Sequence, residues 1–266
     1  MKIAIIGTGN LGQSIAKGLI TTNAITNLYL TKRNIEDIQS FKGYQNVVIT
    51  SDNTEAVQQS DILIFAVQPA HFETILKEVA PLLTEKHVII STITGYSISK
   101  IEAIVGTHQF IIRAMPNTAI AVGKSMTCLC SNEKGEKRIK IAEAIFNRLG
   151  TSIAIPENQM QAATVVCASG IAFWMRLIRA TTQAAIQLGF DAKEAQELAM
   201  HTCEGAANLL ITNGNHPEQE IDKVTTPKGC TIEGLNEMEH KGLSSSLIQG
   251  MVTSFNKINT IKTEQL

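Results

Sequence analysis

Ile3-Ala4-Ile5-Ile6-Gly7-Thr8-Gly9-Asn10-Leu11-Gly12, at the start of a 266-residue chain, decides the fold. Four consecutive apolar residues suit a strand buried on both faces, and the glycines that follow fall in Gly-x-Gly-x-x-Gly spacing. In that pattern Gly7 permits a tight turn, Gly9 lets the backbone approach a pyrophosphate, and Gly12 lets a helix pack on the strand. The amides of that helix start, around Asn10 and Leu11, would face the phosphates. The spacing alone is weak. With a strand before it and a helix after it, it predicts a dinucleotide-binding turn.

The rest of the first half repeats the unit. Residues 28–30, 47–49, 62–67, 88–93 and 110–114 are β-rich runs, several apolar throughout. Asp52-x-x-Glu55 and Ser99-x-x-Glu102 between them are spaced as capping boxes. Strand and helix alternating in this way predict an α/β domain over residues 1–155, a Rossmann-type doubly wound parallel sheet. The pattern changes near Pro156, and residues 156–266 are expected to be an all-α domain. Residues 157–187 contain one glycine, Gly170, and no proline, and are apolar on nearly every side. A helix apolar all round must be covered all round, so this one is expected to lie in a dimer interface. Asp191-x-x-Glu194 starts a helix running to about Leu210, residues 213–217 form a loop, and one last helix begins near Thr231 and passes Phe255.

Composition limits the function. Apolar residues make up 44% of the chain, which supports a core, and the net charge of -1 leaves no basic stripe for a nucleic acid. With the first strand starting at Ile3, no signal peptide is expected. Polar residues interrupt the apolar runs short of the roughly 18 residues that span a bilayer, so no membrane association is expected. Five cysteines, at 128, 130, 167, 203 and 230, are odd in number and scattered. Cys128-Leu129-Cys130 lacks the spacing of a zinc or redox pair, and as a strand it would place two buried thiols on one face. No metal and a reducing cytoplasm are the expectation.

The cofactor type is read after the second strand. An NAD enzyme places a carboxylate there for the ribose 2′-hydroxyl; this chain has Thr31-Lys32-Arg33-Asn34. A 2′-phosphate would be repelled by an acid and gripped by the Arg33 fork, so NADPH is the expected cofactor, with NADH possible. Asn53, the exit loop Ala66-Val67-Gln68-Pro69 and Thr94, within the loop Ser91 to Gly95, complete the expected cofactor side. His71 lacks an oriented partner and reads as a surface helix residue.

Two further loops narrow the class. Arg113-Ala114-Met115-Pro116-Asn117-Thr118 follows the sixth strand, and Thr226-Pro227-Lys228-Gly229-Cys230-Thr231 opens the last helix. In this order, and from Met1 to about Ile258, the chain resembles the pyrroline-5-carboxylate reductases, which make proline by reducing a cyclic imine. The resemblance implies homodimers that associate into rings. It also implies a substrate carboxylate on the amides of Gly229, Cys230 and Thr231, with the Thr231 hydroxyl near the ring nitrogen as the catalytic group. Glu157 and Asn117 would belong to the same substrate site. The chain departs from the family at Gln68 (lysine), Ala119 (proline), Ile171 (proline), Phe173 (tyrosine), Lys228 (glycine) and Cys230. Without the proline at 171 the long helix is expected to run straighter. β-Hydroxyacid dehydrogenases share the two-part plan but need a lysine in the helical half, and residues 157–188 contain none. A non-catalytic NADP-binding sensor is the remaining alternative.

Overall fold

The computed structural model describes residues 1–21 and 25–264, with side chains through residue 258. The described chain forms two compact units, one of Met1–Ser169 with residues 257–264 and one of Gly170–Asn256.

The first unit is an eight-stranded sheet in the order β3-β2-β1-β4-β5-β6-β7-β8. The chain runs β1 (Lys2–Ile6), α1 (Asn10–Ile20), β2 (Asn27–Thr31), a 3-10 turn (Ile35–Phe41), β3 (Val47–Thr50), α2 (Asn53–Gln58), β4 (Ile62–Phe65) and α3 (Pro69–Val79). It continues with β5 (Val88–Ser91), α4 (Ile98–Val105), β6 (Phe110–Met115), β7 (Ser125–Ser131), α5 (Glu133–Glu136), α6 (Ile139–Phe146) and β8 (Gly150–Ala154). The strand order reverses at β1, which pairs in parallel with both β2 and β4. Ligands bind at the carboxyl ends of strands flanking such a reversal.

Successive side chains along the buried strands alternate between two core clusters. Ile3 and Ile5 lie in one core cluster with Ile62, Ile64 and the α1 residues Ile15, Ala16 and Leu19. Ala4 and Ile6 lie in the other with Leu63, Phe65 and the α3 residues Phe72, Leu76 and Val79. Period-two side chains covered on both sides explain why these strands read as unbroken apolar runs. The sheet is not wholly parallel: β7 runs antiparallel to β6. Neither β7 nor β8 is among the strands expected from the sequence, because β7 mixes hydroxyls and thiols and β8 is a short, largely polar edge. Cys128 and Cys130 do lie on β7 and face one core cluster.

The capping signals hold in part. Asp52 caps α2 by accepting from Thr54 N and Glu55 N, but Glu55 accepts from the Thr50 hydroxyl rather than closing the box. The cap of α4 is Ser97, bonded to Lys100 N; Ser99 is already inside the helix. Strands β4 and β5 stop at Phe65 and Ser91, leaving Ala66, Val67 and residues 92–93 to the loops.

After Pro156 the chain forms a 3-10 turn (Glu157–Gln159), α7 (Met160–Ala163) and a π-helical segment (Thr164–Ser169). Met160, Ala163 and Val165 are buried, which joins this stretch to the first unit and moves the division past the change in sequence pattern. The expected regular helix is therefore interrupted. Losing the family's proline at 171 has not removed the irregularity, since a π segment immediately precedes it.

The second unit contains α8 (Gly170–Gln187), α9 (Ala192–Asn213), α10 (Pro217–Val224), α11 (Cys230–His240) and the start of α12 (Leu243–Glu264). The single expected C-terminal helix is two, broken at Gly242 with φ +81°, and α10 lies beyond the helices expected from the sequence. Where α8 packs on α9 the buried residues are small, Thr182 with Ala195 and Ala199. The large apolar side chains remain uncovered in the single chain: Trp174 is 58% exposed, Met175 61% and Leu209 52%. By length and composition Glu157–Gln187 is also apolar enough to cross a membrane, contrary to the reading of interrupted runs.

The β1–α1 turn yields a stability prediction. A Cβ on Gly12 would lie 2.5 Å from the Gly7 carbonyl oxygen, so Gly12→Ala should cost about 1–3 kcal/mol, the range for forced overpacking. Denaturant unfolding measures this, and an unchanged midpoint would mean that α1 shifts freely on β1.

Candidate active site

The turn after β1 is built by steric necessity. Gly7 has φ +92°, and a Cβ there would overlap Val67. Thr31, at the end of β2, pins the turn: its hydroxyl accepts from Gly7 N at 3.2 Å and donates to Asn53 Oδ1 at 2.8 Å, and its carbonyl accepts from Thr8 N. Gly9 is the N-cap of α1 and provides no side-chain cap, and no acid lies in the first turn. The first helical bond runs from Gln13 N to Gly9 O, so the amides of Asn10, Leu11 and Gly12 precede it. An uncapped helix start with a glycine cradle fits a pyrophosphate. The residues present thus match the cofactor expected from the sequence.

The other expected cofactor residues lie on the same carboxyl edge of the sheet. Ala66 and Val67 are half-buried, Gln68 and Pro69 exposed, and Gln68 caps α3 without a side-chain bond. Thr94 is exposed beside Gly95, which has φ +77°. Pro69 and Thr94 border a cavity of about 530 Å³ reaching Glu73, Tyr96 and Lys100. Arg33 is exposed and forms no ion pair among the described residues, whereas Lys32 Nζ lies 2.9 Å from Asp37 Oδ2. His71 is exposed on α3, as expected.

The Met-Pro-Asn-Thr loop is wired inward. Arg113, on β6 and 6% exposed, reaches Glu157 Oε1 through Nη1 at 2.9 Å. The same oxygen accepts from Ile98 N at 2.7 Å, the first amide of α4. Glu157 therefore ties β6 to the start of α4, and Arg113 braces the first unit internally. Asn117 is bonded within the chain as well. Its Oδ1 accepts from Ala119 N, its Nδ2 donates to the Cys167 carbonyl at 2.9 Å, and its backbone N donates to Ser125 Oγ. Cys167 lies in the π segment, where regular helix bonding is interrupted and its carbonyl accepts from Asn117.

Sequence reasoning missed a thiol pair here. Cys128 Sγ and Cys167 Sγ are 3.8 Å apart, though 39 residues separate them in the chain. No spacing rule could find it, because β7 and the π segment meet only in the folded unit. The hydrogen bond from Cys128 holds the Cys167 thiol down to about 7, and it raises Cys128 above the ordinary thiol range. Burial pushes Cys130 up to about 11, against the pull of Arg113.

The second loop forms a turn closed by Gly229 N donating to Thr226 O at 2.9 Å. Pro227 takes its second position. Lys228 takes the third with φ +59°, the one non-glycine residue at positive φ among those described. A type II turn ordinarily places glycine there. Gly229 itself is needed, since a Cβ would lie 2.5 Å from Thr226 Oγ1. It is the N-cap of α11 and offers no side-chain cap, so the amides of Cys230 and Thr231 open that helix as Asn10 and Leu11 open α1. Thr231 is half-buried and Cys230 exposed.

A glycine-cradled helix start on a doubly wound sheet, followed by a helical unit with an uncovered apolar surface, defines a two-part dinucleotide-dependent oxidoreductase. The family models match accordingly: residues 2–95 as an NADP oxidoreductase of the coenzyme F420-dependent type, and 157–261 as pyrroline-5-carboxylate reductase dimerisation. The chain is 43% identical to pyrroline-5-carboxylate reductase 1 of Dictyostelium discoideum over 99% of its own length but only 50% of that relative's. It is 42% identical to pyrroline-5-carboxylate reductase 2 of the same organism, over 96% of this chain and 91% of the relative. The crystal structure of Plasmodium falciparum pyrroline carboxylate reductase with NADP bound superimposes with TM-score 0.88 at 25% identity, covering 98% of each chain. This chain belongs to the pyrroline-5-carboxylate reductase family.

The thiol pair sets a reactivity order. Alkylation of Cys167, followed by peptide mass spectrometry, should rise with a midpoint near pH 7. In Cys128→Ala the midpoint should move up towards the ordinary thiol value of about 8.5, because the donor to the thiolate is gone. A midpoint unmoved by that change would show that the two sulfurs do not interact.

Proposed function

We propose that this protein reduces L-1-pyrroline-5-carboxylate to L-proline with NADPH as the hydride source, NADH also serving, and that it works in the cytoplasm as a homodimer whose dimers associate into a ring. The observation that carries the reading is the Thr226–Thr231 loop. The family's substrate motif forms an uncapped helix start at Gly229 despite departing from the family at Lys228 and Cys230. Backbone amides at such a start hold a carboxylate whatever the side chains, provided small residues admit it.

Each part of the chain has a role in that reaction. Gly7, Gly9, Asn10, Leu11 and Gly12 cradle the pyrophosphate, and Arg33 with Lys32 receives the 2′-phosphate, Thr31 holding the turn behind them. Asn53, Ala66, Val67, Gln68, Pro69 and Thr94 line the path to the nicotinamide. Bound NADPH supplies hydride to the C=N carbon. The amides around Gly229, Cys230 and Thr231 donate to the substrate carboxylate, and the Thr231 hydroxyl hydrogen-bonds the ring nitrogen as the imine becomes an amine. Asn117 and Glu157 serve the substrate side through the bonds they make within the chain. A protonated imine is already electrophilic, so positioning accounts for most of the acceleration and no strong acid is required. The absence of lysine from residues 157–188 speaks against hydroxyacid chemistry. The exposed apolar faces of α8 and α9 favour a partner subunit over a bilayer, since the matching family model is a dimerisation model.

The deciding assay is NADPH consumption with pyrroline-5-carboxylate. Turnover only with hydroxyacids would assign the chain to the other dehydrogenase class, and tight NADPH binding without any turnover would make it a sensor. Thr231→Ala should lower kcat/KM by roughly 10- to 1,000-fold, the range for removing one hydrogen-bonding group from the transition state, while NADPH affinity stays nearly constant. Unchanged turnover would remove Thr231 from the mechanism. Light scattering should show no stable folded monomer at micromolar concentration, as befits an interface of roughly 2,000 Å² or more.

A further inference from the structure

The acid missing from the sequence after β2 is restored in space. Asp37, in the 3-10 turn Ile35–Phe41, turns both carboxylate oxygens back on the preceding loop. Its Oδ2 lies 2.9 Å from Lys32 Nζ, and its Oδ1 accepts from Asn34 Nδ2 at 3.1 Å. Asn34 in turn caps the turn, its Oδ1 accepting from Glu36 N. Of the four residues Thr31 to Asn34, Thr31 is engaged by Gly7 and Asn53, and Lys32 and Asn34 by Asp37. Arg33 alone is exposed and unpaired among the described residues.

We infer that Asp37 is a specificity-determining residue: by pairing with Lys32 it neutralises one of the two cations offered to a 2′-phosphate, and so holds down the preference for NADPH over NADH. This rests on the cofactor reading above. The pair is solvent-reachable, the Lys32 and Asp37 side chains being 25% and 49% exposed, and a surface pair of this kind adds little to stability. Its consequence lies in the charge of the loop. At ordinary ionic strength the screening length is about 10 Å, longer than the contacts within this turn, so the Asp37 charge acts on whatever Lys32 and Arg33 hold. A phosphate dianion feels that carboxylate strongly. The neutral 2′-hydroxyl of NADH does not, and a carboxylate is an acceptor for such a hydroxyl. Glu36, exposed in the same turn, makes no ion pair among the described residues and stays constant in the comparison.

Asp37→Asn tests this, because asparagine keeps the shape and its single carbonyl oxygen can still accept from Asn34 or Lys32 while the charge is removed. Fluorescence titration of the full-length protein with NADPH and NADH gives dissociation constants without turnover. Adenosine 2′,5′-bisphosphate and adenosine 5′-monophosphate isolate the phosphate contact. NADPH and the bisphosphate should bind about 3- to 30-fold more tightly to the variant, and NADH and the monophosphate should change by less than about 2-fold, the NADPH gain shrinking in high salt. Asp37→Ser should move the ratio in the same direction, and retained NADH binding shows that the turn is intact. An NADPH-to-NADH ratio that stays level or falls in both variants overturns the inference alone. A wild-type protein that binds neither cofactor overturns the cofactor reading and this inference together.

Discussion

Everything in the first unit depends on how closely α1 can approach β1. A Cβ on Gly12 would meet the Gly7 carbonyl and one on Gly7 would meet Val67, so three backbone segments converge where only hydrogen fits. That approach points the opening amides of α1 across the end of the sheet. It also fixes the neighbours: Thr31 reaches Gly7 N because β2 pairs with β1, and Val67 abuts Gly7 because β4 pairs on the other side. A cofactor site follows from packing density before any side chain specifies it.

The substrate-side motif works differently. Asn117 and Glu157 look from the sequence like groups waiting for a ligand, and Arg113 lies in the same motif. In the fold their polar atoms hold the protein to itself, joining β6 to α4 and the Met-Pro-Asn-Thr loop to the π segment. A buried arginine needs such a partner, since an unpaired charge at that depth is strongly destabilising. The loop is thereby made rigid, and the binding groups proposed here are backbone amides on α11. This division explains how Lys228 and Cys230 can stand where the family has other residues: the amides persist whatever side chains they carry. Lys228 does so in a left-handed conformation, which costs a side chain roughly 1–2 kcal/mol.

The second unit shows the opposite balance of burial. Small residues are covered between α8 and α9, while Trp174, Met175 and Ile211 are not. Apolar surface on this scale is characteristic of an interface, and it accords with the dimerisation model that matches the region.

The sequence by itself determined the Rossmann turn, the first six strands and the helical second half. These rest on local rules: glycine where no side chain fits, apolar runs where both faces are covered, and caps at helix starts. It also showed the missing acid after β2 and the two loops that carry the family resemblance. Tertiary structure decided what depends on residues distant in the chain or on chain reversal. The antiparallel β7 and edge β8 carry too little apolar pattern to be read, and the break between α11 and α12 depends on a single positive φ at Gly242. The Cys128–Cys167 contact joins elements far apart in sequence. Asp37 reaches Lys32 only because the 3-10 turn folds back on the loop. Spacing along a chain reports helix and strand periods, whereas the distance between two side chains on different elements is set by how those elements pack.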